Sequence, residues 1–306
     1  MSSEIKRATG LLVIEAVNSN PNGDPDRESE PRQRPNGRGE ISPVSFKRKL
    51  RDLLEDADSP FFKSLPEKFS GNADSYRILE SRGRDRNTIS KEMKETGAAS
   101  TKLFNQEKFL QSTFVKKYWD ARVFGNTFLE EKEKDDNKNP SKKGFIKTGV
   151  AQFGVGVSIS PIEIVRHTNT NKAGVQEGKN AGMAPLAFRI VQHGVYVMPF
   201  FVNPNYAAKS GCTSDDIELL KLLIPQAYDL NRSAIRPDVR IRHAWYIEHK
   251  NALGSCPDYL LLEALTPTRI GNSNDPSNEW SDYEDKNTLP SELLAKVNSM
   301  VDLMAL

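Results

Sequence analysis

The chain has 306 residues, of which 37% are hydrophobic and 27% charged, and its formal net charge is +2. That length supports one large domain or two around a buried core, and no apolar run approaches the roughly 20 residues that a membrane helix needs. The first residues lack a hydrophobic signal core, and Cys212 and Cys256 are too few for a disulfide framework or a zinc site. The expectation is a cytoplasmic protein without a cofactor, a metal or a membrane partner.

In chain order, residues 9–17 are almost continuously apolar and predict a buried strand. The run Asn18-Ser-Asn-Pro-Asn-Gly-Asp-Pro-Asp26 follows it and opens a long loop over 18–42, dense in turn signals. Ser42 is placed to cap the next helix, with Pro43 at its first position. Phe46, Leu50, Leu53, Leu54 and Ala57 give that helix an apolar stripe. At about 100° per residue, Arg48 and Arg51 fall on the opposite face, flanked by Lys47 and Lys49. Residues 27–51 hold eight cations against three carboxylates, a surplus of five, whereas residues 270–306 hold seven carboxylates against two lysines. A basic end and an acidic end suit nucleic-acid contact at one and head-to-tail stacking of copies; an ordinary mixed-charge surface reads equally well from charge alone.

Further along, Tyr76–Leu79 suggests a short strand, and Thr88–Lys94 and Glu107–Lys117 suggest helices. Tyr118–Gly125 gathers aromatics around Asp120 and Arg122, and the highly charged run over 130–143 predicts a solvated insertion. Val150–Ile159 reads as a strand. Residues 166–184 carry one substantial apolar side chain, Met183, and join strand-like runs at 159–165 and 186–201, which predicts a projecting hairpin. Thr213–Asp216 caps a leucine-rich helix, and 239–249 and 258–264 read as two more strands. The pattern suggests an α+β fold with a split βαβ, ferredoxin-like sheet carrying insertions.

Several of these stretches, in this order, resemble one family: Asn20-Pro-Asn-Gly-Asp-Pro-Asp26, Phe46-Lys-Arg-Lys-Leu-Arg51, Asp120-Ala-Arg-Val-Phe-Gly125, His193-Gly-Val-Tyr196, Asp229-Leu-Asn-Arg-Ser-Ala-Ile-Arg236 and Tyr246-Ile-Glu-His249. The family is the crRNA-polymerising backbone subunit of type I CRISPR Cascade complexes, with the type I-C and I-B branches nearest. The family usually has Gly after the arginine at 236, where this chain has Pro237. The resemblance implies a modified RRM or ferredoxin-like palm, with a helical fingers insertion and a protruding thumb β-hairpin. On this chain it implies a single RRM-like domain over 1–306, with fingers at 59–117 and a thumb at 160–190; the charged 130–143 run and the acidic C-terminal tail at 265–306 are departures from the family's pattern. It also implies a non-catalytic subunit whose partners are the guide crRNA, other copies of itself, other Cascade subunits and, through the guide, a target DNA strand. Each thumb would kink the guide and flip out a base at regular intervals.

The candidate RNA-binding residues follow. Lys47, Arg48, Lys49 and Arg51 suit successive phosphates, as point charges and forks. Asn18, Asn20 and Asn22 suit a phosphate or a 2′-hydroxyl, with Gly23 allowing close approach; the same residues also suit a turn that satisfies itself. Arg122 and Phe124 offer charge and stacking to a base, although Phe124 reads better as core. On the hairpin, Arg166, His167, Lys172 and Lys179 offer contacts and Met183 an apolar wedge; a contact to a neighbouring subunit is the other reading. Arg232 and Arg236 suit either RNA or the next subunit. The enzymatic alternative is metal-dependent cleavage of target RNA, as in related type III backbone subunits, through Asp24 or Asp26. The two carboxylates alternate with prolines, no third acidic ligand or partner base stands out beside them, and no nucleophile or phosphate-loop motif is present.

Overall fold

A computed structural model describes residues 4–83, 85, 87–88, 91–92, 106–128, 145–172 and 183–305. Its frame is an eight-stranded sheet: β1 Ala8–Ser19, β2 Arg38–Ile41, β3 Ala151–Phe153, β4 Gly156–Pro161, β5 Ile164–Lys172, β6 Met183–Val202, β7 Val239–His249 and β8 Val297–Asp302. The strand order is β8-β7-β1-β6-β4-β2, with β3 and β5 also paired to β6, and every one of these pairings is antiparallel. β1 is central. Leu12 faces Met198 of β6 on one side and Ala244 of β7 on the other, and a bulge interrupts the β7 ladder at Val13/Ile14.

Both faces of the sheet are covered, which explains why β1 reads as a continuous apolar run rather than an alternating one. Leu12, Ile14 and Ala16 face a larger core built with helix α1 (Pro43–Leu54) and helices α2 (Trp119–Phe124) and α3 (Ser214–Leu223). Leu11 and Val13 face a second core with Trp245, Ile247, Leu261, Leu265 and Tyr283. α1 starts as its sequence predicts: the Ser42 hydroxyl accepts from the Ser45 amide, and Pro43 occupies the first turn. α3 has a reciprocal capping box between Thr213 and Asp216.

Three local expectations change. Residues 258–264 are not a strand but part of helix α4 (Asp258–Leu265), with Leu261 and Leu265 buried on one face. A short leucine run satisfies either period, and the second core selects the helical one. Residues 76–79 form no strand; one bridge, Arg77 to Tyr118, joins this stretch to the start of α2. The Val150–Ile159 run divides into β3 and β4 around Gly154 and Val155.

The acidic C-terminal stretch folds back onto the sheet rather than trailing from it. Thr268–Arg269 pairs with Tyr283–Glu284, and β8 joins β7 at the sheet edge. Polar contacts fasten this stretch. His193 bonds Glu15 at 3.1 Å and Ser277 at 2.8 Å, and Arg242 bonds Glu15. His243 lies between Asp302 at 2.7 Å and Asp285 at 3.0 Å, stacked on Trp245. β5 and β6 form a hairpin ladder from Ile164↔Val191 to Lys172↔Met183. The 130–143 run and Lys179 lie outside the described residues. Among the described residues no helix is long and apolar enough to cross a membrane.

Candidate nucleic-acid interface

The end of β1 is where the sequence's most distinctive turn meets two other segments. Asn18 is exposed at φ 43° near the end of β1, at a residue type that tolerates that conformation. Ser19 exchanges hydrogen bonds with the Asp238 backbone at 3.0 Å, the Asn20 amide donates to the Ile235 carbonyl at 2.8 Å, and Arg236 Nε donates to the Asn20 carbonyl at 2.8 Å. The turn is thereby bonded to the 232–238 loop. Asn20 and Asn22 are buried and act inward: Asn20 Nδ2 donates to the Ser29 carbonyl at 2.7 Å, and Asn22 Oδ1 accepts from the Ser42 amide at 2.6 Å. Asn22 therefore ties the turn to the start of α1. At Gly23 a Cβ would meet the Ser29 carbonyl oxygen at 2.8 Å, so the reversal needs glycine there.

The cations of α1 divide into two groups. Arg48 bonds Asp52 at 2.7 Å and Glu55 at 2.6 Å. Arg51 is buried, with Asp120 at 2.8 Å and Glu80 at 3.0 Å. The sequence placed both on a solvated face. Instead the 79–82 segment and α2 cover part of that face: the Arg51 guanidinium is buried, and that of Arg48 is partly exposed but engaged by carboxylates of its own chain. Lys47 and Lys49 differ: among the described residues no salt bridge or hydrogen bond reaches either ammonium. Lys47 lies 5.2 Å from the centre of the Phe124 ring, and burial, then the neighbouring Arg51, lowers its pKa. Lys49 is 6% exposed and lies 5.8 Å from the centre of the Tyr228 ring. Burial, then the charge of Arg236, pulls its pKa down to about 8. The Asn231 side chain donates to the Lys49 carbonyl at 3.1 Å and so holds the 228–236 loop against α1.

The remaining candidates are spread more widely. Arg122 is buried, forks onto Asp216 at 2.6 and 3.0 Å, and donates to the carbonyls of Val115, Lys116 and Ser75. Its neighbour Asp120 accepts from the amides of Leu79 and Glu80. Phe124 is core, packed edge-on to Trp119 with ring centres 5.2 Å apart. Arg122 is thus a structural fastening in this fold rather than an exposed charge. Arg232 is exposed and paired with Asp229 at 2.9 Å. On β5, Arg166 and His167 are exposed, and Arg166 stands directly opposite Arg189 of β6. Lys172 and Met183 are register partners at the end of the described ladder. Asp24 accepts from the Asp26 amide at 3.2 Å and faces Arg32 at 3.7 Å. Among the described residues no group of three or more His, Cys, Asp or Glu side chains is arranged to hold a metal ion.

Sequence reasoning missed Tyr228, Asn231 and Arg189. Asn231 sits inside the 229–236 stretch already singled out, but the signal there was charge, and a neutral amide holding a loop carries none.

Residues 6–288 match the model of the family described as CRISPR-associated protein Cas7, and the chain belongs to that family. A curated relative, "CRISPR-associated protein Cas7" of Haloferax volcanii, is 25% identical over 229 residues; the match covers 72% of this chain and 63% of the relative, so this chain spans less than two thirds of that protein's length. Among solved structures, a chain of a "CRISPR RNA-guided surveillance complex, pre-nicking" is 14% identical with a TM-score of 0.40, covering 80% of this chain and 77% of that one. A chain of the "Type III-B Cmr-beta bound to cognate target RNA" is 12% identical with a TM-score of 0.36, covering 79% and 61%.

Proposed function

We propose that this chain is a non-catalytic backbone subunit that binds a guide crRNA, stacks with further copies along the spacer and presents the guide for pairing with target DNA, together with other Cascade subunits in the cytoplasm. The carrying observation is how the cations are sorted. Arg48, Arg51, Arg122 and Arg232 have carboxylate partners inside the chain. Lys47, Lys49 and Arg236 have none among the described residues, and Lys49 and Arg236 are brought together from α1 and the loop that holds the Asn18–Asp26 turn. Cations held in place without counter-charges suit the phosphates of a nucleic acid.

In this reading the sheet is the RRM-like palm, the segment over 59–117 the fingers and the β5–β6 hairpin the thumb. Exposed Arg166 and His167 contact the strand near the thumb's root, Lys172 and Lys179 supply further contacts, and Met183 serves as the wedge. The alternative, metal-dependent RNA cleavage through Asp24 or Asp26, has less support, because the Asp24 carboxylate caps its own turn and faces Arg32.

The test is to co-express the chain with a repeat–spacer transcript and its partner subunits, and to run the purified complex on a denaturing RNA gel. A discrete protected RNA is expected. A complex that purifies free of RNA, or with random fragments, would refute the reading.

A further inference from the structure

The two edges of the sheet are unlike. At one edge residues 32–34 lie along β2. The Glu40 amide donates to the Arg32 carbonyl at 2.9 Å, the Arg34 amide donates to the Arg38 carbonyl at 2.7 Å, and Gln33 bridges to Gly39. Pro31 and Pro35 bound this segment, and two of its three residues are arginines. Prolines and charges at a sheet edge discourage a further strand from pairing there. At the other edge lies β8, Val297-Asn-Ser-Met-Val-Asp302, which has no proline and no cation. It pairs with β7 and, among the described residues, with no other backbone. A bulge at Asn298 breaks the ladder near its start, and Ser299 to Asp302 run in regular register. Such an edge presents open N–H and C=O groups to another strand.

The side chains decide which strand fits. Asp302, on β8, and Asp285 are both held by His243, at 2.7 and 3.0 Å, and Glu248, opposite Ser299 on β7, is bonded by Lys6 at 3.3 Å. These carboxylates are matched inside their own chain, so two copies of this edge can meet without bringing unpaired like charges together. Residues opposite one another across an antiparallel pair share a face, so a two-fold axis that keeps the two cores on their own sides must pass through a residue. An axis at Met300 sets Met300 against its own counterpart, Ser299 against Val301 and Asn298 against Asp302. No like charges are opposed, and an amide meets a carboxylate at each end. Val301, 37% exposed, then lies diagonally across the axis from its own counterpart, about 7–8 Å away.

We infer that β8 is a self-pairing edge, along which two copies of this chain join antiparallel about a two-fold axis at Met300 to make one continuous sheet. This interface goes beyond the proposed function, in which copies stack head to tail along a guide. Stacking adds copies without limit, whereas a two-fold pairing closes at two. The pairing needs no RNA, so it links subunits, or finished filaments, side by side.

The experiment is sedimentation velocity on the full chain, freed of nucleic acid, between about 1 and 100 µM. A concentration-dependent dimer is expected for wild type. Val301→Lys and Val301→Glu each bring like charges across the axis and should weaken the dimer more than about tenfold. An equimolar mixture of the two should restore it, because the diagonal then joins opposite charges. Hydrogen exchange, which needs no variant, should show the backbone amides over 299–301 slowing as wild-type concentration rises. A wild type that stays monomeric throughout, with exchange independent of concentration, would overturn the self-pairing and leave the edge to a foreign strand. An open series of larger species that neither substitution alters would also overturn it, and leave head-to-tail stacking standing. Two variants that are both monomeric but do not associate when mixed, with melting curves like wild type, would refute the axis at Met300.

Discussion

Replacing Arg122 with methionine discriminates most sharply between a guanidinium that binds RNA and one that holds the protein together. Arg122 is 6% exposed and makes five hydrogen bonds, two to the Asp216 carboxylate and three to backbone carbonyls. Methionine fills part of the volume but leaves Asp216 buried without its cation. Removing one partner of a buried pair costs about 3–5 kcal/mol. Asp216 keeps its bonds from the Thr213 amide and hydroxyl, which place the expected loss near the lower end, about 3 kcal/mol. With a urea dependence of about 3 kcal/mol per molar for a chain of this size, the unfolding midpoint should fall by about 1 M. A double-mutant cycle with Asp216→Asn should return a coupling of about 2 kcal/mol or more. RNA affinity measured well below the unfolding transition should be unchanged. A variant of near-wild-type stability that loses RNA affinity would refute this placement and return Arg122 to the interface.

Three further outcomes follow from the same structure. Burial disfavours the charged form of His243, but Asp302 and Asp285 outweigh it and raise its pKa above the ordinary value. Its contribution to stability is therefore complete below about pH 6.5 and is lost as pH rises through the raised value; wild type should lose stability across that window relative to His243→Gln in thermal melts, and parallel curves would disprove the clamp. At Gly149 a Cβ would sit 2.1 Å from the Phe124 backbone carbon, so Gly149→Ala should lower the melting temperature sharply, and an unchanged melt would show that the two backbones are not in this contact. Asp24→Ala and Asp26→Ala should leave complementary RNA uncut, as wild type should, with or without divalent cations; metal-dependent cleavage by wild type that disappears in either variant would favour the ribonuclease alternative.

What was legible in the sequence depended on how local the determining physics was. β1 and α1 carry their own signals: a continuous apolar run, and a serine–proline start followed by a stripe of regular spacing. The hairpin was legible from the absence of a core pattern between two strand-like runs. Helix α4 was not, because Leu260-Leu261-Leu262 fits a strand until the second core chooses Leu261 and Leu265 as the buried pair. The site divided the same way. The Asn18–Asp26 turn stood out by its composition and the 229–236 stretch by resemblance, but their meeting is fixed by hydrogen bonds between residues more than 200 positions apart. The fate of each cation was least legible of all. Helical spacing sets which way Arg51 points; whether water or Asp120 and Glu80 meets it depends on chain segments the spacing does not describe.

The central position of β1 has a consequence for how the protein is made. Both of its neighbours, β6 and β7, lie far downstream. At about 5–20 residues per second, a ribosome that has finished Ser19 needs roughly ten to thirty seconds before Met183 exists, and longer before His249 does. Through that interval the most apolar strand of the sheet has neither of its hydrogen-bonding neighbours, and the sheet cannot close. Pairings between segments so far apart in sequence are slow to form even when the whole chain is present. The nascent chain therefore spends most of its synthesis with β1 as a vacant template, and the yield of native protein in the cell should depend on how well that strand is shielded until its neighbours arrive.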